Sequence, residues 1–205
     1  MSEEIGYPKF LRDTAVTKID DNTWEAELTD SWSIGGVANG GYSMATAARA
    51  LSEALEHKDP LSITGHYLSR VEPGKAVLEI EKLNIGRSVS TALLKFIQGG
   101  VERIRFTSCF TDFSKSKGDT LREVEAPNFP PIEDCIHMPY IKGFTPVLEK
   151  QIDRRFAPYS NWWDEERPRD RASLDAYYAW PGGETIDLFS VIFFLDTMSP
   201  PIFNR

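Results

Sequence analysis

Cysteine, histidine and long apolar runs are all scarce in this sequence. Its 205 residues include 2 cysteines and 3 histidines. Cys109 and Cys135 follow a start, MSEEIGYPKF, that has neither a basic stretch nor an apolar core. They are expected to be free thiols rather than a bridge. His57 and His66 do not have metal-ligand spacing, and His137 falls in a proline-rich stretch, so no metal site is expected. The longest apolar run, Leu188 to Leu195, is interrupted only by Ser190. A spanning helix needs about 20 apolar residues, so no membrane span is expected. Basic charge is also short, with 23 Lys and Arg against 31 Asp and Glu, a net charge of −8. Such a surface repels phosphate backbones and anionic lipid, which argues against nucleic acid as a partner. There is no phosphate-binding loop and no G-x-G-x-x-G fingerprint. These absences point to an acidic cytoplasmic protein.

What is present is an ordinary globular composition, 41% hydrophobic and 12% aromatic. Residues 1–12 read as a loose lead-in. Trp24, Ala26 and Leu28 alternate with polar neighbours, the period of a half-buried strand. A glycine-rich stretch, SIGGVANGGY, covers Ser33 to Tyr42. Met44, Ala48, Leu51 and Leu55 then recur as one helical stripe, predicting a helix from about Tyr42 to His57, ended by Asp59-Pro60. Its first half is small (Ala45, Ala47, Ala48, Ala50), which lets a sheet come close to the helix backbone. Four β-like segments follow: Ser62 to Val71, Ala76 to Ile85, Val89 to Ile97 and Arg103 to Phe113. Their turn residues predict consecutive antiparallel hairpins. One helix on one face of a curled antiparallel sheet is an α+β architecture.

The stretch from Ser114 to Gly143, with four prolines, reads as a linker lying over a surface. After it the order starts again. Leu148, Ile152 and Phe156 lie in a strand-like or mixed stretch, and SLDAYYAW, Ser173 to Trp180, reads as a strand. Pro181-Gly182-Gly183 turns the chain into Ile186 to Leu195, which position favours as a helix although its β-branched and aromatic residues suit a strand. The expected organisation is a first unit at 1–113, a linker at 114–143 and a second, incomplete unit at 144–205.

Four places could carry chemistry. ANGGY, Ala38 to Tyr42, puts backbone N–H groups at the positive end of a helix, where an oxygen gaining negative charge could be held. Asn39 is equally suited to be a plain helix cap. GYSMA, Gly41 to Ala45, is close to the elbow of serine hydrolases, but no strand leads into Ser43, so a nucleophilic serine is not expected. Gly86, Arg87 and Ser88 form a hairpin tip that could hold a phosphate or be an ordinary solvated turn. Asp196 follows a run of mostly apolar neighbours and is either part of a site or a solvated helix end.

The order of WSIGGVANGGY (Trp32 to Tyr42), HYLSRVEPG (His66 to Gly74), LNIGRSVST (Leu83 to Thr91) and FTSCFTDF (Phe106 to Phe113) resembles the hotdog fold. More closely it resembles the double-hotdog acyl-CoA thioesterases of type II and their thioesterase-like relatives. LDTMSPP, Leu195 to Pro201, is similar to the stretch bearing that family's catalytic aspartate. The resemblance implies two hotdog repeats in one chain, the second incomplete here. It implies thioester hydrolysis with Asp196 as the catalytic carboxylate and no cofactor. Substrate contacts are expected from Asn39, Gly40, Gly41, Tyr42, Gly86, Arg87 and Ser88, acyl-CoA is the expected substrate, and a homo-oligomer is expected. The family's threonine and glutamine would fall beyond Arg205, so turnover is expected to be impaired. A hydratase is disfavoured because no D-x4-H spacing surrounds His57 or His66. A non-catalytic hotdog protein that binds acyl groups or a partner is the alternative.

Overall fold

The computed structural model describes residues 5–164 and 172–204. The first four residues of the expected lead-in, and part of the expected second unit, lie outside the described residues. The rest of the lead-in is not loose. Helix α1 (Tyr7–Asp13) buries Phe10 completely, with its ring 5.4 Å from Trp32 and 5.2 Å from Phe193. With 7 residues, α1 is too short to show a helical period in sequence. What holds it is the tertiary aromatic cluster.

The strands β1 (Val16–Lys18), β2 (Thr23–Leu28), β5 (Asp59–Tyr67), β6 (Gly74–Ile85), β7 (Ser90–Gln98) and β8 (Val101–Thr111) form one antiparallel sheet. Its order is β1-β2-β6-β7-β8-β5. A short hairpin of β3 (Ser33–Ile34) and β4 (Val37–Ala38) leads into helix α2 (Gly40–Ala54). The expected run of hairpins holds for β6, β7 and β8 but not for β5. That strand lies against β8 at the sheet's far edge and does not pair with β6. Pro60 suits this place, because an edge strand needs no N–H on its open side. Asp59-Pro60 therefore opens a strand rather than stopping the helix. The helix itself ends at Ala54, where Leu55 turns extended and Lys58 Nζ donates to the carbonyls of Ser52 and Leu55.

The sheet's inner face carries Trp24, Ala26, Leu28, Leu78, Leu94, Phe96, Ile104, Phe106 and Phe110, all buried. Ala48, Leu51 and Leu55 of the expected stripe are buried, but so are Ala45, Ala47 and Ala50 off it. The helix is thus covered on most sides, not along one stripe. Gly65 of β5 shows how tight the wrap is. A Cβ there would lie 2.7 Å from the Phe106 ring.

The second cover comes from the last third of the chain. Strands β9 (Asp153–Phe156) and β10 (Ala176–Ala179) pair antiparallel. Helix α3 (Leu188–Leu195) packs on α2, which answers the choice between helix and strand for this run. Its Phe193 and Phe194 are buried beside Trp180, whereas Leu188, Val191 and Leu195 are exposed. Leu148, Ile152, Trp180 and Phe193 belong to the same hydrophobic cluster as the sheet and α2.

Candidate active site

The N-terminus of α2 and the C-terminus of α3 meet at two glycines. A Cβ on Gly41 would lie 2.8 Å from the Phe193 carbonyl oxygen and 2.8 Å from Asp196 Cβ. A Cβ on Gly40 would lie 2.8 Å from Asp196 Oδ2 and 3.1 Å from the Tyr67 hydroxyl. Only hydrogen fits at either position, so the glycines allow backbone-to-backbone contact of the two helices.

Asp196 caps α3 and at the same time reaches the start of α2. Its Oδ2 accepts from the Gly41 N–H at 2.8 Å and from Asn39 Nδ2 at 3.0 Å. Asn39 Nδ2 also donates to the Asp196 carbonyl at 3.1 Å, while Asn39 Oδ1 accepts from the Tyr42 N–H at 3.0 Å. Asn39 is therefore both the helix cap and the tie to Asp196, so the two readings of this residue are compatible. A carboxylate is unfavourable at the negative end of its own helix and favourable at the positive end of another. The contact with α2 sets the balance. Among the described residues the Gly40 N–H and Asp196 Oδ1 have no hydrogen-bond partner. They are the open donor and the open acceptor of the arrangement.

Tyr67, at the end of β5, completes it. Its hydroxyl donates to the Gly40 carbonyl at 2.8 Å, and its ring meets Phe106 edge-on. Burial, and then the nearby Asp196 carboxylate, push its phenol up, so it stays neutral. A cavity of about 250 Å³ opens here between Val37, Ala38, Gly40, Ser43, Tyr67 and Val71. The Ser43 hydroxyl donates to the Asn39 carbonyl and is buried, so it is not presented as a nucleophile.

Residues 28–111 of this chain match the acyl-CoA thioesterase N-terminal domain family. Its fold is the hotdog fold. The chain is 35% identical over 95 residues to the thioesterase-like protein TwmA of Talaromyces wortmannii, an alignment covering 45% of this chain and 27% of that protein. The chain thus spans about a quarter of that relative's length. A thioesterase II candidate from Thermobifida fusca superposes with a TM-score of 0.85 at 22% identity, covering 96% of this chain and 75% of that one. A hotdog-fold protein of Alicyclobacillus acidocaldarius superposes at 0.81 with 17% identity, over 95% and 71% of the two chains. The acyl-CoA thioesterase II TesB2 of Mycobacterium marinum superposes at 0.68 with 12% identity, over 91% and 68%.

In this hotdog protein the expected site residues fall into two places. Asn39, Gly40, Gly41 and Asp196 come together. Tyr42 contributes only its backbone N–H. Its side chain is fully buried and its hydroxyl donates to the Asp13 carbonyl at 2.7 Å, because the ring belongs to the aromatic core. Gly86, Arg87 and Ser88 stand apart. They lie beside His57, beyond the other end of α2. With 15 residues, α2 separates the two places by about 22 Å at 1.5 Å per residue. Tyr67 is the member of the site that the sequence reading missed. Its place follows from β5 pairing with β8, which no local pattern announces. Among the described residues no group of three His, Cys, Asp or Glu side chains could hold a metal, and no helix is long and apolar enough to cross a membrane.

Proposed function

We propose that this protein hydrolyses an acyl-CoA thioester at the junction of α2 and α3. The observation that carries the reading is Asp196, with one carboxylate oxygen anchored and the other open, beside the unpartnered Gly40 N–H. The Gly40 N–H, at the positive end of α2, receives the thioester carbonyl oxygen as negative charge builds on it. Asp196 Oδ1 accepts a proton from the attacking water. Asn39 and Gly41 fix the carboxylate, and Tyr67 holds the Gly40 carbonyl, whose peptide plane carries the Gly41 N–H that anchors Asp196. The adjacent cavity is below the roughly 300–1,000 Å³ of whole-ligand sites, so it takes only the part of the acyl group next to the carbonyl.

Three further parts of the reading are proposals of the same kind. Units at 1–113 and 144–205 are joined by the stretch 114–143. The protein works in the cytoplasm. It assembles as a homo-oligomer through the exposed face of α3. The test of the activity is release of free CoA thiol from a series of short- to long-chain acyl-CoAs. Saturable release above the uncatalysed rate is expected. A protein that is folded, yet releases no thiol from any member of the series, leaves only the non-catalytic binding reading.

A further inference from the structure

Arg154 of β9 is almost fully buried, at 4% exposure. A charge in such a place needs partners. Its Nη2 donates to Glu149, and its Nη1 donates to the Thr197 carbonyl and, at 3.3 Å, to the Tyr178 hydroxyl. Its Cζ lies 4.9 Å from the centre of the Phe156 ring and 5.8 Å from that of Tyr178. Glu149 belongs to the short turn Val147–Gln151, in which Leu148 and Gln151 are buried, so the core fixes its place.

Thr197 follows Asp196 directly. Two successive carbonyls are therefore held from two sides, that of Asp196 by Asn39 Nδ2 at 3.1 Å and that of Thr197 by Arg154. The Tyr178 hydroxyl extends the hold to Met198 Sδ at 3.5 Å. Helix ends fray, and a carboxylate at the negative end of its own helix is unfavourable there. Helix α3 has 8 residues and Asp196 is its C-cap, so the direction of Asp196 depends on what holds the chain leaving α3. Arg154 holds it with a cation, the charge that suits this end of a helix. Stability alone does not call for the arrangement, because apolar side chains of similar volume often replace a buried ion pair without loss. An apolar pair cannot donate to the Thr197 carbonyl.

We infer that Arg154 is a positioning residue for Asp196: held by Glu149, it fixes the chain leaving α3 and so aims the carboxylate at the start of α2. Its value for turnover rests on the thioesterase reading; its hold on Asp196 does not. The experiment is hydrogen exchange by NMR on the ¹⁵N-labelled full chain, read at the Gly41 amide, which donates to Asp196 Oδ2. Two variants are compared with wild type. Glu149→Leu/Arg154→Met replaces the ion pair with apolar side chains of similar size. Arg154→Lys keeps the charge and loses the planar fork. In the first, Gly41 is expected to exchange about tenfold faster, while the paired Leu94 and Phe106 in the middle of the sheet keep their wild-type rates. In the second, the same change is expected at about threefold. Where wild type turns over acyl-CoA, the first variant is expected to lower kcat about tenfold with KM unchanged, and to add nothing in an Asp196→Asn background. Absence of turnover in wild type sinks the thioesterase reading, and the exchange rates still decide the hold on Asp196. Gly41 exchanging at the wild-type rate in either folded variant overturns the proposal. So does an equal rise at Gly41, Leu94 and Phe106, or failure of both variants to fold, since Arg154 is then a core residue only.

Discussion

Single residues decide how the polar groups of this protein are spent, and Asp13 and Asp196 are spent differently. Asp13 is buried and accepts from Lys9 Nζ at 2.6 Å, Thr29 Oγ1 at 2.9 Å and Trp32 Nε1 at 2.9 Å. Burial alone would raise its carboxyl, but the bonds from Lys9, Trp32 and Thr29 outweigh it and hold the group below its usual range. A carboxyl depressed in the folded state stabilises above its unfolded pKa of about 4, and the contribution is lost as pH falls through the folded value. Asp13→Asn is therefore expected to lower stability by about 3 kcal/mol at pH 7, since it strands buried Lys9. Urea unfolding at pH 7 and again near pH 3 checks this. The gap between wild type and variant should shrink in acid, and an equal gap at both pH values would sink the explanation. Asp196, by contrast, is exposed and keeps one oxygen open. It stood out in sequence because a lone carboxylate after an apolar run needs a reason. The burial of the Tyr42 phenol was not legible, since GGY reads the same whether the ring faces ligand or core.

At the scale of elements, the decisive contact is helix on helix. The small residues after Asn39 announced a close approach, and the expected partner was the sheet. The structure adds α3, which touches α2 at Gly41. Gly41→Ala is expected to push Phe193 and Asp196 away, destabilising the protein by roughly 1–3 kcal/mol as overpacking does. Thermal unfolding measures the loss, and a variant as stable as wild type would mean that the helices can separate at no cost. Most of the sheet could be read from its own residues: the alternation Ile104, Phe106, Ser108, Phe110 in β8 is buried as expected. The place of β5 could not, because strand order depends on what the helix displaces and not on the turn that follows. Helix α1 was missed for a related reason: its one buried apolar side chain, Phe10, is explained by residues 22 and more positions away.

For the whole molecule, one hydrophobic cluster runs from Phe10 to Phe194 and draws on both ends of the chain. The apolar side chains left exposed outside it include three on α3, where Leu188 is 37% exposed, Val191 43% and Leu195 78%. These three fall on one helical face, and an exposed apolar face of this kind marks an interface. A twofold dimer is expected in light scattering, and Leu195→Glu is expected to shift it to monomer. A wild-type protein that stays monomeric at high concentration would remove α3 as an assembly surface. The account as a whole turns on Asp196 as the working carboxylate. Its most direct measurement is kcat/KM for CoA release by wild type and Asp196→Asn, with melting temperatures taken alongside. A loss of about 100-fold, the usual range for removing a general base, with the melting temperature held within a few degrees, is the predicted result. An unchanged kcat/KM in the folded variant would contradict it.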